Sequence, residues 1–274
     1  MGGNARGHEF SPSTELISWE VFAQYIQKDH DVVVMGPGAG IAYDSSLLMV
    51  ARLLGRAGNL LVVDPKSVSH RVRNNIVEKG PIRGAGDIDG HLRQFKYLYD
   101  NDMEVALPQW VGPKGTCAST TLGDQQCDLI VDHNTSPFVT GSDDREERIY
   151  WLEKTYGEYF RILKPGGTLL LQTNNKRYKF GNSRGKIPLV KMLREAGFSV
   201  IQKKVLDKFK INLSEEEAEL MRTVPIDVEI FDKISHNIKQ DELGKYYFER
   251  SASQSQFVSS HESPDMYIAR KVSS

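Results

Sequence analysis

The sequence predicts an α/β protein built on a doubly wound, mostly parallel sheet. Two observations carry that expectation. Short apolar runs such as Val32-Val33-Val34-Met35, Leu60-Leu61-Val62-Val63 and Leu129-Ile130-Val131 have the length and character of strands buried on both faces. Between them lie longer segments whose apolar residues recur at helical spacing, and strands alternating with helices of these lengths pack as crossover units on a parallel sheet.

In chain order, residues 11–28 read as an amphipathic helix, with Ser11 as N-cap, Pro12 at the first helical position and Leu16, Trp19, Phe22 and Ile26 at helical spacing. The first strand, 32–35, is stopped by Gly36. A helix carried by Leu47, Leu48, Ala51 and Leu54 follows and ends at Gly55 and Gly58. The second strand is 60–63, with Asp64 at its C-terminal end. Residues 67–101 read as two helical pieces broken near 80–90, and the third strand is expected at Val105-Ala106-Leu107. The fourth strand, 129–131, is closed by Asp132. A long helix is expected over 144–163, with Ile149, Leu152, Tyr156 and Phe160 on one face. Pro165 stops it, and Gly166-Gly167 turn the chain into a fifth strand at 168–172. A helix at 187–196, a sixth strand at 198–205 and a last strand at 266–269 complete the pattern, for a seven-stranded sheet.

Between the sixth and last strands, 207–263 reads as a mainly helical insertion. Ser214 and Glu217 have the spacing of a capping box, and 251–263 is rich in Ser and Gln. An insertion of this length in a compact domain suggests a lid or substrate-binding element. The expected organisation is therefore an N-terminal helical cap at 1–30, a Rossmann-like domain at 31–206 and 264–274, and the insertion.

Composition bounds the function classes. With 39% hydrophobic and 26% charged residues, the chain of 274 residues can bury a full globular core. A net charge of −1 gives no overall pull toward nucleic acid or an anionic membrane, although a local basic patch remains open. Two cysteines, Cys117 and Cys127, make neither a disulfide framework nor a zinc site, and no metal-ligand constellation is visible. No apolar run is long enough to span a bilayer, and the first ten residues lack a secretory signal. Arg6 stands where N-myristoylation needs Ser or Thr. A cytoplasmic protein is expected.

The chemistry begins at Gly36-Pro37-Gly38-Ala39-Gly40, between the first strand and its helix. Glycines there let the chain turn tightly and a ligand approach the backbone, while the helix start offers unpaired N–H groups. Asp64 follows Gly40 by 24 residues at the end of the second strand, where a carboxylate can accept both hydroxyl hydrogens of a ribose. A dinucleotide fingerprint would place its third glycine at position 41; that residue is Ile41, and the third glycine is Gly40.

This G-x-G-x-G form resembles the first motif of the class I, S-adenosylmethionine-dependent methyltransferases. The stretch Phe160-Arg161-Ile162-Leu163-Lys164-Pro165-Gly166-Gly167-Thr168-Leu169-Leu170-Leu171 resembles that family's late helix, turn and fifth strand, and Tyr267-Ile268-Ala269-Arg270-Lys271 resembles its antiparallel last strand. The resemblance covers roughly 30–206 and 264–272. It implies S-adenosyl-L-methionine as cofactor, with Gly36, Gly38, Gly40, Asp64 and Asp132 at its site. Family members often carry an acid two residues before the first glycine; here that residue is Val34, so contacts to the methionine end come from elsewhere, from Asp132 or the N-terminal helix. The adenine pocket falls near 109–120.

The crevice of a doubly wound sheet lies beyond the carboxyl ends of its strands. That selects the segment after strand four, with His133 as candidate base and Asn134 as candidate orienter of the acceptor, although both residues also serve as loop hydrogen-bonding groups. Ser136-Pro137-Phe138 is one proline short of an amino-methyltransferase motif. After strand five, Asn174, Lys176 and Arg177 are candidate substrate contacts, and the basic, aromatic run 176–186 suits an anionic group or a solvated loop. A small-molecule acceptor is the leading expectation. An RNA or protein methyltransferase using the basic loop, and a non-catalytic binding protein on the same fold, are the alternatives.

Overall fold

The computed structural model describes residues 23–35, 45–63, 95–111, 117–133, 145–173, 189–205, 210–223, 238–249 and 265–272. Its main sheet has seven strands: β1 (Asp31–Met35), β2 (Asn59–Val63), β3 (Pro108–Trp110), β4 (Cys127–His133), β5 (Leu163–Thr173), β6 (Phe198–Val205) and β10 (Asp265–Lys271). Their order is β3-β2-β1-β4-β5-β10-β6. The pairs β1–β2, β2–β3, β1–β4 and β4–β5 are parallel, whereas β10 runs antiparallel to both neighbours. The expected doubly wound sheet with an antiparallel last strand is what forms.

Side chains alternate across this sheet because successive residues of a strand point to opposite faces. Val32 and Val34 of β1, Leu129 and Val131 of β4, and Met266 and Ile268 of β10 enter one apolar cluster. Val33 and Met35, Ile130, and Tyr267 and Ala269 enter the other. The first cluster is closed by Val50, Ala51 and Leu54 of helix α1 (Ser45–Leu54) and by Phe95 and Leu98 of a helical stretch at 95–100. The second is closed by α2 (Arg145–Ile162) and α3 (Leu189–Glu195).

Three expectations are corrected. The third strand is Pro108–Trp110, not 105–107. Val105 and Ala106 are buried, but the Ala106 N–H donates to the Ala51 carbonyl at 2.8 Å, so this run docks on the end of α1 instead of pairing with β2. The face of α2 is also turned from the expected one: its buried residues are Leu152, Thr155, Tyr156, Tyr159 and Ile162, with Ile149 and Phe160 only packed against the cluster. The insertion, finally, is mixed. It carries α4 (Glu215–Thr223) and a three-stranded antiparallel sheet, β7 (Lys210–Leu213), β9 (Tyr246–Glu249) and β8 (Ile238–Gln240) in that order. The β8–β9 hairpin is organised by Asp241, whose Oδ1 accepts the N–H groups of Leu243 and Lys245, each at 2.9 Å.

The capping box does form: the Ser214 N–H donates to Glu217 Oε2 at 2.8 Å, and the Glu217 N–H donates to Ser214 Oγ at 3.1 Å. Glu217 also receives both Nε and Nη2 of Arg52 on α1, with the Nε contact at 2.8 Å. Leu213, Ala218 and Ile238 join the α1-side cluster, so the insertion is tied to the helix that follows the glycine loop by packing and by a bidentate ion pair. Burial raises the Glu217 pKa, but the Arg52 and Ser214 bonds outweigh it and hold the carboxyl below its ordinary 4.5. A depressed carboxyl contributes stability above its unfolded pKa and loses it as pH falls through the folded one. Amide protection factors over 215–223, corrected for the intrinsic exchange rate at each pH, are therefore expected to fall selectively as pH drops below 4.5, with Arg52→Ala abolishing that selectivity. Uniform protection across the acid range would show that the pair does not hold the insertion.

Candidate functional site

The strand ends define the edge at which the site is expected. Met35 of β1 pairs with Val63 of β2 and with Asp132 of β4, and His133 pairs with Gln172 of β5. These four strands are parallel, so their carboxyl ends finish side by side at one edge. Gly36, Asp64, Asn134 and Asn174 directly follow the last residues of β1, β2, β4 and β5 in the chain. Gly36, Gly38, Gly40, Asp64, Asn134, Asn174, Lys176 and Arg177 lie outside the described residues, as does the side chain of His133. Of the candidates, the structure describes Asp132 in full.

Asp132 is completely buried, and among the described residues it is the only buried carboxylate. It shares the α2-side face of β4 with Ile130. Its Oδ2 accepts the Tyr159 hydroxyl at 2.9 Å, and Tyr159 is itself fully buried on α2. Burial first, and then the Asp132 charge, push the phenol's pKa well above its ordinary value, which keeps Tyr159 protonated and donating. Tyr156 meets Tyr159 edge-on, with ring centroids 6.2 Å apart, and fixes the ring. Tyr159 is the partner of Asp132 that sequence reasoning missed. The signal was present, because Leu152, Tyr156 and Tyr159 follow the i, i+4, i+7 spacing of one helix face.

Val34, at the family's acid position, is buried in the α1-side cluster, on the opposite face of the sheet from Asp132. At the end of the segment where the adenine pocket was expected, Thr120 is locked to α2: its N–H and its hydroxyl donate to Glu158 Oε1 at 2.6 and 2.5 Å. Burial raises the Glu158 pKa, but Arg161 and Thr120 outweigh it and hold the carboxyl below its ordinary range. Cys117 and Cys127 are both buried thiols. Burial, reinforced by Asp128, pushes the Cys127 pKa up to about 12, which makes it a packing residue and no nucleophile. The described residues contain no cluster of His, Cys, Asp and Glu able to hold a metal ion, and no helix among them is long and apolar enough to cross a membrane.

No protein-family model and no curated protein matches the chain. Solved structures do. The chain is similar to an S-adenosylmethionine-dependent methyltransferase of Methanosarcina mazei, with 16% identity, 94% of this chain and 100% of that one covered, and a TM-score of 0.47. It is similar to an S-adenosylmethionine-dependent methyltransferase of Aquifex aeolicus, at 15% identity, 72% and 88% coverage and a TM-score of 0.45. It is also similar to the YcgJ protein of Bacillus subtilis, at 14% identity, 93% and 98% coverage and a TM-score of 0.45. At these identities the likeness is one of fold.

Proposed function

We propose that the chain is an S-adenosylmethionine-dependent methyltransferase acting on a small-molecule acceptor. The observation that carries this reading is the sheet edge where β1, β2, β4 and β5 end together, in a sheet whose β10 runs antiparallel between β5 and β6. A dinucleotide-binding sheet places a sixth parallel strand directly beside the fifth. The form of the glycine loop, with Gly40 and Ile41, favours the same choice.

The donor set fits the cofactor. A ribose needs a carboxylate at the end of the second strand, and Asp64 follows β2 directly. The methionine end is cationic, and Asp132 brings a buried carboxylate to the penultimate position of β4. Gly36, Gly38 and Gly40 would offer backbone N–H groups to the same ligand. S-adenosylmethionine, when bound, supplies an activated methyl group for in-line transfer. The protein's part is then to hold the acceptor close and aligned and, where the acceptor is protonated, to take its proton. His133 is assigned that proton, Asn134 the orientation of the acceptor, and Asn174, Lys176 and Arg177 the binding of a polar or anionic part of it. The insertion and the N-terminal segment 1–30 are assigned to closing the crevice.

Calorimetric titration of the intact chain with S-adenosylmethionine tests the reading. Binding is expected, and Asp64→Ala should weaken it about 10- to 100-fold, the loss for a charge-assisted hydrogen-bond pair. A protein that binds no S-adenosylmethionine, or that prefers a nicotinamide dinucleotide, overturns it.

A further inference from the structure

A carboxylate in the middle of an apolar sheet is costly unless it is paired. Asp132 sits in register between Met35 and Leu171, neither of which offers its side chain as a hydrogen-bond donor, and it is preceded by Leu129, Ile130 and Val131. Leucine or phenylalanine at 132 and 159 would fill the same space with no polar group to satisfy. The chain instead keeps an acid on the strand and a phenol on the helix, both fully buried, at the sheet edge where the strands leading into the glycine loop and Asp64 end. Val34, at the position where an acid would otherwise serve, faces the other side of the sheet.

We propose that Tyr159 is a positioning residue of this site, holding the Asp132 carboxylate at the carboxyl edge of β1 and β4 so that its charge faces the cationic methionine end of the cofactor. This rests on the reading of the site as one for S-adenosylmethionine. Tyr159 has one hydroxyl proton and donates it to Oδ2 of Asp132. Its ring is held by Tyr156, and among described titratable groups Tyr156 and Cys117 also face it. The bond therefore fixes the orientation of the carboxyl group and favours its ionised form.

The test is calorimetric binding of S-adenosylmethionine to the full-length protein, to Asp132→Asn and to Tyr159→Phe, each followed from neutral into acidic pH alongside a thermal melt. Asp132→Asn is expected to weaken binding about tenfold or more, the scale of a lost charge-assisted contact. Tyr159→Phe is expected to weaken it about three- to tenfold and to move the acid limb of the binding profile to higher pH, because the ionised carboxylate has lost a donor. The double variant should lose no more than Asp132→Asn alone. A purely structural role for Tyr159 would lower the melting temperature and leave the acid limb in place, and that result overturns the proposal. Losses that add in the double variant overturn it as well. Should Tyr159→Phe fail to fold, Asp132→Asn carries the test, and unchanged affinity there is decisive against it. Absence of binding by the unsubstituted protein is a different outcome, since it removes the cofactor reading itself.

Discussion

Gly197→Val is expected to lower the stability of the fold by about 3 kcal/mol, read as a shift in the urea midpoint with an unchanged slope. Two separate effects add. Gly197 closes α3 at φ +102°, a conformation that a β-branched residue adopts only with strain. A Cβ built there would also lie 2.8 Å from both Cε2 and Cζ of Phe160. That ring has little room to give. Phe198 packs edge-on against it at 5.3 Å between centroids, and the Lys271 ammonium sits 4.6 Å from its centre. Adding Phe160→Leu should recover only the part due to the clash and leave the backbone term, which separates the two causes. If Gly197→Val melts like the parent protein, the packing of α3 against the end of α2 is looser than these distances say.

Much of the fold was legible because its signals are local. Strands β1, β2, β4 and β6 are continuous apolar or alternating runs bounded by glycine or aspartate, and they formed within two residues of the expected bounds. The failures are places where burial arises for a different reason. Val105 and Ala106 carry the apolarity of a strand because they plug the end of α1, and the backbone N–H that would have joined a ladder is bonded to Ala51. In the insertion, three strands of three or four residues are too short for a period to stand out. Even so, the aromatic run Tyr246-Tyr247-Phe248 beside a polar turn at Asp241 carried a hairpin signal.

The candidate site divides along the same line. Asp132 could be chosen from its position at a strand end, since that edge is where open α/β sheets bind ligands. Its partner could not be chosen from position alone: Tyr159 meets Asp132 across 27 residues of sequence, and only the packing of α2 on the sheet brings the two together. The link from Arg52 to Glu217 spans 165 residues and was equally invisible, although Glu217 itself had been singled out as a cap. Local chemistry reads from sequence, whereas the second partner of a group depends on how the layers stack.

Lys271→Met is the other substitution with a large expected effect, about 2–3 kcal/mol of lost stability. Lys271 is buried near the end of β10, and its Nζ donates to the carbonyls of Phe160 and Leu163, each at 2.7 Å. The Phe160 carbonyl lies in the last turn of α2, which has no partners within the helix, and Leu163 is the residue that directly follows the helix and opens β5. The intervening ones are provided for: Arg161 accepts from the Gln125 N–H, and Ile162 from the Gln126 N–H and from the Cys127 thiol. Burial pulls the Lys271 pKa below its ordinary value, so the ammonium itself is held at a cost. Replacing a buried ion pair by apolar groups is often neutral because both partners go, but here only the donor would go and both acceptors would stay. The unpaired carbonyls and the lost cation at the helix end therefore outweigh the relief of desolvation. Lys271→Arg, which keeps donors and charge on a different shape, should recover part of the loss in a thermal melt. If Lys271→Met proves neutral in chemical denaturation, water or backbone relaxation is satisfying the end of α2, and the buried lysine is not what caps it.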